Sequence, residues 1–161
     1  MNTLELLELL EDNARLTPEE IAVMLQADAG EVRRAIQELE QNKTILKYMT
    51  LVNWEKAGEE KVSAMIEVRI TPQRDVGFDA VARRICRFPE VRSVRLMSGA
   101  YDLAVFIEGR TMREVSHFVA TRLATIEGVI STTTHFVLKT YKQDGVIVED
   151  SEEDRRLIVS P

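Results

Sequence analysis

The sequence predicts an α+β protein built from two parts. An N-terminal winged helix-turn-helix spans residues 1–52, and a ferredoxin-like βαββαβ sandwich spans 62–142. Three observations carry this. Helix caps and apolar residues at spacings of three and four crowd the first 42 residues. After residue 61 the apolar period drops to two, the signature of strands. From there strand and helix patterns follow one another in the order β, α, β, β, α, β, which builds a four-stranded antiparallel sheet with two helices on one face. Residues 53–61 then form a hinge and 143–161 an acidic tail.

The first helix carries Leu4, Leu6, Leu7, Leu9 and Leu10 and ends near Asn13. Thr17-Pro18-Glu19-Glu20 opens the second. Thr17 is placed to accept from the Glu20 amide, Glu20 to reach back, and Pro18 to fill the first helical position, where its missing N–H is harmless. Ile21, Ala22 and Leu25 form its apolar face. Asp28 with Glu31 marks a second cap, and Val32, Ala35, Ile36 and Leu39 give the third helix a clear apolar stripe. Asn42 is its expected stop, as asparagine tolerates a left-handed backbone. The link Gln26-Ala27 has the length of a helix-turn-helix connection. Residues 45–52, Ile-Leu-Lys-Tyr-Met-Thr-Leu-Val, are β-prone and suit a wing strand.

In the second part Val62, Ala64, Ile66, Val68 and Ile70 alternate with polar residues as a strand. Phe78, Val81, Ala82 and Ile85 make a helix face, and Cys86 is expected to join it as a small core residue. Residues 91–97 and 103–107 read as strands, joined by the tight connection Ser98-Gly99-Ala100-Tyr101. Met112, Val115, Phe118, Val119, Leu123 and Ile126 form a second helical stripe, entered at Thr111 and stopped at Gly128. A long strand is expected over 129–141. Alternation puts Met65, Val105, Ile107 and Val137, or their immediate neighbours, on the sheet face away from the helices. An apolar second face on so small a sheet predicts a partner sheet, most simply in a symmetric dimer. The tail mixes acids with Ile147, Val148, Leu157, Ile158 and Val159, and is either disordered or an added edge strand.

Composition narrows the function classes. Apolar residues at 45% and charged residues at 30% fit a globular chain rather than a disordered one. No apolar run nears the roughly 20 residues of a membrane helix, and the N-terminus lacks a signal pattern, so a cytoplasmic location is expected. A single cysteine allows no internal disulfide and no CxxC zinc pair. The two histidines, His117 and His135, fall on different elements, without HExxH spacing, a phosphate loop or GxGxxG. Ser98, His135 and Asp102 could be assembled as a triad on paper, but no nucleophile-elbow string supports it. No catalytic residue, metal site or cofactor is therefore expected.

The net charge of −6 is unevenly spread. Residues 1–60 carry 6 cationic against 13 acidic side chains, residues 61–145 carry 13 against 9, and residues 146–161 carry 2 against 5. Nucleic-acid affinity is driven by neutralised phosphates, so an acidic first third weighs against indiscriminate binding. The acids Glu5, Glu8, Glu11, Glu19 and Glu20 lie in the first two helices, leaving room for a local basic stripe elsewhere.

Several strings, taken in order, resemble the Lrp/AsnC (feast/famine) family of regulators. Leu9-Leu10, Ala14-Arg15-Leu16-Thr17 and Glu20-Ile21-Ala22 are similar to its first two helices. Val32-Arg33-Arg34-Ala35-Ile36, Leu39-Glu40, Ile45 and Tyr48 are similar to its recognition helix and wing. Gly99-Ala100-Tyr101-Asp102-Leu103 resembles the hallmark turn of its effector (RAM-type) domain; the strings at 128–134 and 138–142 resemble the last strand. The resemblance covers about residues 4–142, and its specificity lies in the ordered set. It implies transcriptional control by homodimers that assemble further, to tetramers or octamers, tuned by an amino acid or related metabolite.

Carried over, the resemblance implies effector contacts at Ser98, Gly99, Ala100, Tyr101 and Asp102, with Thr132, Thr134 and His135 nearby. A glycine turn exposes backbone amides that suit a carboxylate, and Asp102 would accept an ammonium group. The competing reading is that Gly99 serves only the turn and Asp102 only caps it. For double-stranded DNA, the third helix offers Arg33, Arg34 and Gln37 as base or phosphate contacts, and Lys43 and Lys47 offer phosphate contacts from the wing. The chain departs from the family at three positions. Gln26 and Lys43 stand where glycine is common, and Ala35 where arginine is. Sirohaem decarboxylases resemble the same architecture. Their substrate calls for a histidine–arginine cluster, whereas His135 stands nearly alone and Arg83, Arg84 and Arg87 read as the outer face of a helix. A sensor or scaffold without DNA binding is the third reading.

Overall fold

The computed structural model describes residues 2–71 and 77–148. The chain forms two compact units, divided between Val52 and Asn53.

The first unit holds α1 (Thr3–Asp12), α2 (Pro18–Leu25) and α3 (Ala29–Gln41). Each has the side-chain cap its start requires. Asn2 accepts from the Leu4 amide, Thr17 from Glu20 and Asp28 from Glu31. Thr17 and Glu20 complete a reciprocal capping box: the Thr17 amide donates to Glu20 Oε2 at 2.8 Å, and the Glu20 amide donates to Thr17 Oγ1 at 3.2 Å. Hydrogen bonds from the Thr17 amide and then its hydroxyl hold the Glu20 carboxyl below its ordinary pKa. Leu6, Leu10, Ile21, Ala22, Val32 and Leu39 form the core, flanked by Leu16, Leu25, Ala35, Ile36 and Ile45.

The turn between α2 and α3 reverses at Gln26, which is left-handed at φ 50°. α3 stops at Asn42 as expected, but Asn42 stays at φ −81° and it is Lys43 that takes the left-handed position at φ 65°. Both non-glycine departures therefore stand where glycine is least strained. The wing is also corrected. Residues 46–52 run without a ladder, and Leu46, Met49, Leu51 and Val52 are exposed. A strand needs a neighbour to pair with, and within this unit the described residues supply none.

The second unit contains β1 (Val62–Ile70), α4 (Asp79–Ile85), β2 (Val91–Leu96), β3 (Leu103–Gly109), α5 (Met112–Phe118) and β4 (Val129–Phe136). The order β2-β3-β1-β4, antiparallel throughout, is the ferredoxin-like arrangement. A wide π-type turn, Val119–Leu123, extends α5. Ile66, Val68, Leu103, Val105 and Ile107 pack against Val81, Ile85, Val115, Phe118 and Leu123 in one core. Gly128, at φ 94°, returns the chain to β4 so close to Val81 that a Cβ would lie 3.3 Å from its methyl group.

Five expectations for this unit are corrected. Val105 and Ile107 face the helices, at 0% and 1% exposure, while Phe106 takes the open side of β3. The open face is mixed rather than apolar: Met65 and Phe106 sit among Glu67, Arg69, Arg95 and His135. Cys86 caps α4 and is exposed, one residue past the buried Ile85, as is Met112 at the first position of α5. β4 ends at Phe136 instead of Tyr141, because Phe136 already pairs with Ala64 near the start of β1. Farther on, β5 (Lys142–Gln143) and β6 (Val146–Ile147) pair, among the described residues, only with each other, about a left-handed Asp144 and Gly145. Leu157, Ile158 and Val159 lie outside the described residues.

Candidate nucleic-acid and effector sites

α3 buries Val32 and Leu39 and turns Arg33, Arg34 and Gln37 outward. Arg33 is ion-paired with Glu19 of α2, so part of its donor capacity already stitches the two helices together. Arg34 and Gln37 are exposed and have no such tie to any described residue. Lys43 and Lys47 are exposed beyond its C-terminus. Tyr48 donates its hydroxyl to Glu40 Oε1 at 2.9 Å. Burial, followed by that bond and the Glu40 charge, raises the Tyr48 pKa, so it stays a neutral donor at physiological pH. The five sequence-assigned residues thus lie on the exposed side and C-terminal end of one helix. The acids Glu5, Glu8 and Glu11 belong to α1, and Glu19 of α2 comes across to meet Arg33.

The second group centres on the β2–β3 connection. Ser98, Gly99 and Ala100 are exposed at its tip, and Gly99 sits at φ 153°, a backbone region open mainly to glycine. Tyr101 and Asp102 are half-buried. Asp102 makes three ties, two to the neighbouring strand β1 and one to Met97 just past β2. Its amide donates to Val68 O at 3.0 Å, its carbonyl accepts from Met97 at 2.8 Å, and its Oδ2 accepts from the Ile70 amide at 2.7 Å. The β1 ladder slips at Arg69/Ile70, which frees that amide, and Asp102 satisfies it. Arg69 Nε donates to Ala100 O at 3.0 Å and holds the turn from the other side. Sequence reading missed Arg69; its signal was its position one residue before the strand end, on the polar phase of β1.

The three β4 residues are not all brought to this turn. Thr132 pairs with Val68 beside it. Thr134, opposite Ile66, is on the helix-side phase of the strand, and His135, opposite Met65, is on the open face. There His135 Nε2 lies 3.1 Å from Glu67 Oε1. The open-face neighbours of the turn on β4 are instead Ser131, opposite Arg69, and Thr133, opposite Glu67. Among the described residues no group of three His, Cys, Asp or Glu side chains is placed to hold a metal ion. No described helix is long and apolar enough to cross a membrane.

Comparison with known proteins divides the chain along the same lines. A family model described as the Lrp/AsnC ligand binding domain matches residues 63–147, and a winged helix-turn-helix DNA-binding model matches residues 2–45. The HTH-type transcriptional regulator YugG of Bacillus subtilis is 50% identical over 158 residues, covering 98% of this chain and 95% of YugG. The HTH-type regulator LysM of Saccharolobus solfataricus is 28% identical over 138 residues, covering 86% of this chain and 92% of LysM. A transcriptional regulator of Neisseria meningitidis, solved as an L-Met complex, superposes with a TM-score of 0.71 at 27% identity, covering 88% of this chain and 90% of that one.

Proposed function

The chain belongs to the Lrp/AsnC family of DNA-binding transcription regulators, and from that premise we propose that α3 reads DNA while the β2–β3 turn senses an amino acid. The observation that carries the first half is α3 itself. It is a capped helix, entered by a three-residue turn from α2, that holds Arg33, Arg34 and Gln37 on one exposed face. In this reading Arg34 and Gln37 are free to reach base edges or phosphate. Arg33 first gives up part of its Glu19 pair, and Lys43 and Lys47 add backbone contacts. The family and its relatives are regulators rather than enzymes, so the tetrapyrrole reading is set aside.

The effector half is supported by the ligand-binding match and by the L-Met complex of the Neisseria regulator. The exposed tip Ser98–Ala100 offers backbone amides to a ligand carboxylate. Asp102 and Arg69 brace that tip, with Oδ1 of Asp102 left to meet an ammonium group. Tyr101 and Thr132 flank the turn, whereas Thr134 and His135 are farther along β4 and contribute less. The working form is a cytoplasmic homodimer. Met65 and Phe106 on the open sheet face and the unpaired run 46–52 are the surfaces it would cover.

The test is a double substitution, R33A/R34A, in the full chain, read by binding to its own upstream DNA. Affinity should fall by about 1–3 kcal/mol, while replacing Tyr101 should leave effector-free DNA affinity unchanged. Unchanged affinity in R33A/R34A would remove α3 from the interface.

A further inference from the structure

On the helical face of the second unit, apart from the β2–β3 turn, a hollow of about 260 Å³ opens between the end of α4 and the π turn that extends α5. Arg84 and Arg87 enter from one side and Arg122 from the other. Phe88 and the buried Ile126 form an apolar floor, and Thr125 completes the wall. We propose that this hollow binds a small organic dianion, a phosphate monoester or a dicarboxylate.

Charge and geometry carry the proposal. Among the described residues, Arg122 alone of the three guanidinium groups has an acidic partner: its Nη1 lies 3.6 Å from Glu90 Oε1. That distance gives Coulomb attraction but no hydrogen bond, so the Arg122 donors remain available. Arg84 and Arg87 make no ion pair with any described residue, in contrast to Arg83, whose Nη2 is 3.9 Å from Asp79 on the same helix. Three positive charges against one carboxylate leave a surplus of two. Like charges crowded round one hollow repel, and a bound dianion removes that cost. The accumulation is local, because the whole chain carries −6.

The shape fits the same ligand class. Guanidinium forks match carboxylate and phosphate oxygens two at a time. Arg122 is also oriented, stacked 5.2 Å over the Phe88 ring, which itself meets Phe118 edge-on at 5.3 Å. Thr125 spends its hydroxyl on the Thr121 and Arg122 carbonyls, so the arginines alone supply side-chain donors, and the floor beneath them takes a short apolar body. Arg122 lies in a π turn closed by the bond from the Ala124 amide to Val119 O, 2.8 Å. Single π turns of this kind are frequent at functional sites. The volume lies near the lower edge of the roughly 300–1,000 Å³ usual for ligand pockets, which limits the ligand to a few carbons and excludes a nucleotide.

The test is calorimetric titration of the full chain, in phosphate-free low-salt buffer, with phenyl phosphate, succinate and acetate. One saturable site per chain is expected for a dianion, tighter than about 1 mM, with acetate weaker by at least about tenfold. The tighter of phenyl phosphate and succinate identifies the class. R84A/R87A, at two exposed positions, should lose at least about tenfold in affinity without a change in melting temperature, and Arg122→Lys should fall between. If R84A/R87A folds poorly, Arg84→Gln alone provides the comparison. Equal binding by the arginine variants, or acetate competing as well as the dianions, would overturn the site in favour of an unspecific basic surface.

Discussion

Arg33 and Arg34 are adjacent, yet their surroundings differ. Arg33 leans on Glu19 and joins α2 to α3, whereas Arg34 is exposed and pairs with no described residue. Exposed ion pairs are worth little in water, so the Glu19 contact does not bar Arg33 from phosphate, but it makes Arg34 the freer reader. Gln26 and Lys43 pose a different residue-scale question. Each adopts a left-handed backbone, at φ 50° and 65°. An L residue pays about 1 kcal/mol there that glycine avoids, although glycine gives back part of it as unfolded-state entropy. Gln26→Gly and Lys43→Gly are therefore each expected to leave the first unit as stable or raise it by up to about 1 kcal/mol in urea melts. A clear loss would mean that the side chains, not the backbone, hold those turns. That these positions are special was legible in the sequence, from the family's preference for glycine. Their strain was not, because a one-dimensional string carries no dihedral angles. Asp102 likewise stood out by its turn, but its bond to the Ile70 amide depends on a slip in the β1 ladder that no local pattern announces.

At the scale of elements, the helices of the first unit were readable because their signals are local. Thr17, Pro18 and Glu20 sit within one turn and form the box their spacing predicts. Thr17→Ala should cost about 1 kcal/mol, seen as a lower melting temperature at neutral pH. The pH dependence follows from the lowered Glu20 pKa. A carboxyl depressed on folding stabilises above its unfolded pKa, about 4.3, and that contribution fades as pH falls through the lower folded value. The Thr17→Ala penalty should therefore shrink in acid. A penalty that stays constant down to the acid limit would show that the carboxylate takes no part. What stayed illegible depends on distant partners. The run 46–52 has strand composition but no strand to pair with, and β4 stops where β1 runs out. The faces of β3 could not be assigned by alternation, because Leu103, Ala104 and Val105 are all buried in succession. Arg84 and Arg87 read as a solvated helix edge until the fold set Arg122 opposite them.

For the whole molecule, charge and apolar surface point to an assembly that binds DNA selectively. The first 60 residues are acidic, so in the proposed reading affinity would rest on the local cations Arg33 and Arg34 of α3 and not on general attraction. In the proposed dimer, two copies of that face would supply the affinity that a single one lacks. The dimer is expected to use the open sheet face, where Met65 and the 36%-exposed Phe106 sit among charged neighbours. Light scattering should report a dimer or larger for the native chain, and Phe106→Asp should shift it toward the monomer; an unaltered mass would place the interface elsewhere. The most direct test of the regulator account is binding of the purified chain to its own upstream DNA at low and moderate salt, with and without a pool of amino acids. The account predicts sequence-selective binding that weakens steeply with salt and shifts with a particular amino acid. A stable dimer that binds no DNA even at low salt would contradict it, and would leave a ligand sensor or scaffold in its place.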